Sequence, residues 1–278
     1  MALHKLASIG RRKNVVQIVP PKNPPGTHEL VSAPLATPTG PGGAPGFHNV
    51  AGSQIVNPEV TNVYLGPFWA DQTVLEGFSK AIVENGYLDP LRDLGYGTGS
   101  GTYLGSVQGS PLAAGSTFTD QDAQTTLTAM LDAGQITGNV NSLFMLILPS
   151  GVTSQLDPAD SSCAQFCGYH EAFSYNGVEI AYAVLPSTDC QACGGEFNDF
   201  TAVYAHELAE AVTDKVPGQG WVADDGEENG DLEAWILLPW GPPDNSTEYM
   251  VQGYYTNERG DTVGAWRDAT PPPTPPPA

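Results

Sequence analysis

The chain has 278 residues, enough for one large domain or two small ones, and 40% of them are hydrophobic, enough for a sizeable core. Ten basic residues face 31 acidic ones, and five of the ten (Lys5, Arg11, Arg12, Lys13, Lys22) lie in an N-terminal stretch without Asp or Glu. A body this acidic repels phosphate backbones, which argues against nucleic acid as a partner, and no apolar run approaches the ~18 residues of a membrane span.

Residues 1–50 are rich in Pro and Gly ("PPKNPPG", "TPTGPGGAPG") and show no periodicity, so they read as an extended arm. After Lys13 only "VVQIVPP" follows, short of the ~7–15-residue apolar core of a signal peptide. The composition nevertheless has the character of a secreted or extracytoplasmic protein. A single packed domain is expected over 51–268, and residues 269–278 form a Pro-rich tail.

Inside that domain the predicted elements alternate. "TNVYLGPFW" (61–69) is β-branched and aromatic, hence a strand. Residues 71–86 place Val74, Leu75, Phe78, Ala81 and Ile82 on one face, a helix with Asp71 as its N-cap and Gly86 as its close. A Gly/Ser/Thr stretch follows (95–117). Residues 119–136 form a second helix whose acidic opening suits the helix dipole. "SLFMLILP" (142–149) is a continuous apolar run, the pattern of a buried strand, and "EIAYAVLP" (179–186) is another strand. "NDFTAVYAHELAEAVTD" (198–214) is a third helix with Asn198 as its cap. The expected fold is α/β, with a mixed, mostly antiparallel sheet packed on this last helix and "EIAYAVLP" near the site.

The cysteines Cys163, Cys167, Cys190 and Cys193 follow C-x3-C…C-x2-C. Two disulfides of open connectivity fit the Gly/Ser-rich loops, and a four-thiolate zinc site fits the spacing.

The third helix carries the chemistry. His206 and Glu210 are i and i+4, so they share one face and can grip one metal ion. Glu207 is rotated ~100° from His206 and can reach a water without binding the metal. That divides the labour as in H-E-x-x-H proteases, with Glu210 in place of the second histidine. A lone H-E-x-x-E is often a surface contact. Here Phe200, Val203, Tyr204, Leu208 and Val212 make the helix mostly buried, so its charged trio must face something specific. A carboxylate cluster follows, "GWVADDGEENGDLEAW", with Asp224, Asp225, Glu227, Glu228, Asp231 and Glu233. It can supply a third ligand. It also leaves calcium open as an alternative to zinc, although it does not match the EF-hand order.

These words resemble the exordium / phosphate-induced protein family, whose plant members are secreted cell-wall proteins: "VYLGPFW" (63–69), "FCGYHEAF" (166–173), "AYAVLP" (181–186), "AHELAEAVTD" (205–214), "GW" (220–221) and "EENGDL" (227–232). The resemblance implies a zincin-like metal-binding fold and marks Glu228 and Asp231 as companions of the helix motif. The chain departs from the family pattern at Lys215, where Pro commonly follows the Asn or Asp, and at Glu233, where Cys is usual.

Two functions follow as expectations. The first is a zinc peptidase acting on protein or peptide substrates. His206, Glu210 and Asp231 or Glu228 would be its ligands and Glu207 its general base. His170, Tyr254 or Tyr255 would stabilise the oxyanion, although His170 also fits a structural role. The second is a non-enzymatic, metal-stabilised binding module acting at the cell wall. Carboxylate ligands keep their affinity at lower pH than imidazoles, so an acidic optimum, on the order of pH 4–6, is expected.

Overall fold

The computed structural model describes residues 18–21, 46–241 and 247–257; the Pro-rich tail and most of the N-terminal arm lie outside the described residues. In chain order the elements begin with β1 (Ile18–Val19), β2 (His48–Asn49), β3 (Glu59–Tyr64), α1 (Gln72–Glu84), α2 (Asp89–Asp93) and β4 (Thr102–Gln108). There follow β5 (Thr117–Thr119), α3 (Asp120–Asp132), β6 (Ser142–Ile147), β7 (Thr153–Gln155), β8 (Gly168–Tyr175) and β9 (Val178–Leu185). The last are α4 (Phe197–Thr213), β10 (Trp221–Val222), β11 (Leu237–Trp240) and β12 (Tyr249–Gln252).

The main sheet has six strands in the order β1-β8-β9-β6-β3-β4. It is mixed, as expected, but not mostly antiparallel. β3–β4, β3–β6 and β6–β9 are parallel, and only β8–β9 and β1–β8 are antiparallel. The reason is connectivity. Parallel neighbours need a long crossover, and α1 lies between β3 and β4 while α3 precedes β6. β6 is buried at every residue, the pattern of a strand covered on both faces. The antiparallel part is a hairpin whose turn, Asn176-Gly177, has positive φ at both residues (51° and 79°), as a two-residue turn between twisted strands requires.

Helices cover both faces. Residues of α1 and α4 share one core with Val60 and Tyr64 of β3 and Ala181, Ala183 and Leu185 of β9. Ala123, Leu127 and Met130 of α3 share a second core with Val63, Phe144, Ile180, Tyr182 and Val184. Successive side chains of a strand point to opposite faces, so β9 feeds the two cores alternately. A buried polar chain crosses the first core: Tyr204 donates to Asn62 Oδ1 (3.0 Å), and Asn62 donates to Ser79 (2.9 Å).

Local signals set the helix starts. Asp71 accepts from the Thr73 and Val74 amides, and Thr119 and Asp122 form a capping box at α3. α4 starts at Phe197, so Asn198 is not its cap. The Asp199 carboxylate instead accepts from the Glu196 amide at 3.0 Å. Two disulfides, Cys163–Cys190 and Cys167–Cys193, tie the approach to β8 to the approach to α4. With all four sulfurs oxidised, the thiolate zinc site falls away.

Candidate metal centre

α4 supplies three of the side chains. Every residue from 199 to 213 is buried, so its charged trio looks into protein rather than water. β8 supplies a fourth. His170 lies opposite Ala183, on the face of the sheet that packs on α4. The approach is close: a Cβ on Gly168 would lie 2.7 Å from Val203 Cγ1 and 2.8 Å from Glu207 Oε1.

The loop after α4 supplies the rest. Asp214, just past the helix, accepts from the amides of Gly218, Gln219 and Gly220, which folds the chain back over the helix end. Asp224 and Asp225 then point to solvent, whereas Glu228 is buried and Asp231 nearly so. The Asp231 amide donates to Glu210 Oε1 (3.0 Å), and the Glu228 amide donates to Asp231 Oδ2 (3.2 Å). Gly230 is packed so tightly that a Cβ there would come within 2.7 Å of Glu210 Oε1.

His206 Nε2 lies 2.8 Å from Glu210 Oε1 and 3.7 Å from Asp231 Oδ1. His170 Nδ1 lies 3.5 Å from both Glu207 Oε2 and Glu210 Oε2, and its Nε2 lies 3.5 Å from Glu228 Oε1. These are proximities without hydrogen-bond geometry. Among the described residues His206 Nε2, His170 Nδ1, Glu210 Oε2, Asp231 Oδ1 and both carboxylate oxygens of Glu207 and Glu228 make no hydrogen bond. Buried polar atoms without partners cost ~1–3 kcal/mol each. So many, converging from β8, α4 and the following loop, form a group that could hold a cation. The sets His206/Glu210/Asp231 and His170/Glu210/Glu228 each lie within 4.8 Å. Nitrogen and carboxylate donors together suit a borderline ion such as zinc better than calcium, which takes oxygen.

Electrostatics separate the carboxylates. Burial raises Glu207 to about 7, with the Glu210 carboxylate adding to the rise and the two histidines opposing it. Burial also raises Glu228 and Asp231 well above the usual range, helped by Asp214 and Glu210 in the first case and by Glu210 in the second. Glu210 goes the other way. Burial would raise it, but His206 and His170 hold it at about 2. His206 is disfavoured as a cation by burial, yet Glu210, Glu207 and Asp231 raise it to about 9.

Thus the structure brings His206, Glu207, Glu210, His170, Glu228 and Asp231 into one buried cluster. It does not bring the Tyr254 hydroxyl to the oxyanion role: that hydroxyl donates to the Tyr87 carbonyl (2.7 Å). Sequence reasoning misses Gln252 of β12, whose Nε2 lies 2.7 Å from His206 Nδ1 and 3.0 Å from the Gly230 carbonyl. It also misses Asp214 and the fully buried Asn229. The Asn-Gly turn signal would have marked β8, and with it the placement of His170; nothing local marks Gln252. Ligation through His206 Nε2 puts the ring proton on Nδ1, so Gln252 then has to turn its amide oxygen towards that ring and away from the Trp235 amide it now accepts from.

The chain matches no protein-family model, no curated protein and no solved structure.

Proposed function

We propose that the protein is a zinc-dependent peptidase of zincin-like build, with His206, Glu210 and Asp231 as ligands and Glu207 as general base. The observation that carries this reading is Glu207, a buried carboxylate with both oxygens unbonded, one residue from a ligand. A purely structural ion has no use for such a group. A bound zinc ion supplies Lewis acidity to a substrate carbonyl and acidifies water. Glu207 accepts the proton at a carboxylate oxygen and passes it to the leaving amine. His170 Nδ1 lies 3.5 Å from Glu207 Oε2. A cation nearby pulls Glu207 down from about 7, so the acid limb of activity lies between that value and the ordinary ~4. An acidic working range therefore stays part of the proposal, as does secretion, which the two disulfides support.

Glu207→Gln tests it. Hydrolysis of a denatured protein should fall by ~10²–10⁴-fold with metal content unchanged; hydrolysis that survives ends the peptidase reading. Burial favours a second reading. His170, His206, Glu207, Glu210 and Glu228 are all fully buried, and structural metal sites are closed whereas catalytic ones keep an open position. In that reading the ion stabilises a secreted binding module of exordium-like type. The outcome expected there is metal bound at unit stoichiometry or above with no hydrolysis in the wild-type protein.

A further inference from the structure

We propose that this centre holds two divalent cations bridged by Glu210. The first sits among His206, Glu210 and Asp231, the second among His170, Glu210 and Glu228. The inference rests on the metal-binding reading above and goes beyond it in number and in the second ligand set.

The two sets share only Glu210, and they use different oxygens of it. Oε1 lies against His206 at 2.8 Å, whereas Oε2 lies 3.5 Å from His170 Nδ1. A carboxylate placed so spans two ions at the ~3.5–4 Å separation of two-metal sites. The 3.5 Å spacing is also a ligand–ligand edge: two donors each ~2.1 Å from a tetrahedral ion stand ~3.4 Å apart.

His170 is oriented for the task. Its Nε2 lies 3.1 Å from the Asp214 carbonyl, which places the ring proton there and leaves the Nδ1 lone pair towards Glu210. A histidine ligand is held this way by the hydrogen bond of its other nitrogen. One ion in the first set leaves His170 Nδ1 buried without a partner and Glu228 with the Asp214 carboxylate beside it. A second ion takes them up. Mixed imidazole and carboxylate donors select ions such as Zn2+ or Mn2+.

The test counts ions on the full chain with its disulfides intact. After treatment with a chelator and dialysis against Zn2+, the wild type should carry two ions, and His170→Ala or Glu228→Gln should carry one. Loading with Mn2+ should give the electron paramagnetic resonance spectrum of an exchange-coupled pair, a readout that needs no variant and stands if His170→Ala fails to fold. One ion in the wild type, insensitive to His170→Ala and lost in His206→Ala, overturns the second site and leaves the mononuclear reading standing. Two ions that both survive His170→Ala and Glu228→Gln overturn it as well, because the second ion then lies elsewhere. No bound ion overturns both readings.

Discussion

Gly168 lies where β8 packs tightly on α4, and the space there has no room for a methyl group. Its Cβ would press on both Val203 and Glu207. Gly168→Ala should cost on the order of 1–3 kcal/mol through overpacking and weaken metal binding by moving β8 off α4. Thermal melts and a zinc titration check both, and unchanged values would show that the close approach is incidental. Gln252 acts one step further out, because it touches His206 rather than an ion. Gln252→Leu should lower zinc affinity by ~10–100-fold, as loss of a partner behind a ligand commonly does, without changing the number of ions bound. Such contrasts show what the sequence discloses about a site. His206, Glu207 and Glu210 sit on one turn, so helix geometry alone groups them. Glu228 and Asp231 needed the resemblance to be singled out among six neighbouring acids, of which Asp224 and Asp225 face solvent. Gln252 is 46 residues from His206, and only the packing of β12 on α4 joins them.

β8 joins the candidate site to an edge of the main sheet. It carries His170, and its outer edge is covered by β1, with Ile18 opposite Tyr169 and Val19 opposite Gly168. The Cys167 amide donates to the Val19 carbonyl (2.8 Å), and the Trp235 indole donates to the Pro20 carbonyl (2.8 Å). A strand edge is also where an extended peptide adds by backbone pairing. On the peptidase reading, deleting residues 1–21 should therefore raise the hydrolysis rate on a peptide substrate at unchanged metal content. Equal rates in the two forms would show that substrate does not use this edge. The cysteines give a second expectation: a thiol reagent should label none of them in the native protein. Each bridge closes about the same span, 27 and 26 residues, so reduction should cost ~2–4 kcal/mol per bridge in a chemical melt. α1, α3, β6 and β9 were legible because their periodicity or apolar run is local. β4 was not. It is an edge strand, half-exposed, with a register shift beside Leu104, so it shows no clean alternation. Parallel pairing was also invisible, because no residue in a strand names its neighbour.

Across the whole molecule, on the metal-binding reading, protons and metal ions compete for the same buried charges. Without metal, Glu207 (about 7), Glu228 and Asp231 all titrate above the carboxylate range of an unfolded chain. The folded state then holds protons that the unfolded state has lost, so stability falls as pH rises from ~4 through neutrality. His206, raised to about 9, and His170, raised well above its ordinary value, act in the same direction. Their contribution is complete below ~6.5 and is lost as pH climbs through the folded values. Within the cluster Glu210 opposes this, as do Asp89 and Lys215 outside it, both lowered. Held at about 2, Glu210 contributes above ~4 and is lost only as pH falls towards 2. A net charge of −21 at neutral pH adds self-repulsion that eases as carboxylates protonate. A bound metal would reverse the slope, because its ligands must give up their protons to bind it, and binding to the folded state alone adds stability. The chelator-treated protein should therefore melt highest near pH 4–5, and the increment from added Zn2+ should be small there and grow towards pH 8. Melting temperatures measured from pH 3 to 9, with chelator and with Zn2+, check both slopes. A chelator-treated protein that grows more stable from pH 5 to 8 would mean that these carboxylates are solvated, and the buried centre would then have to be abandoned.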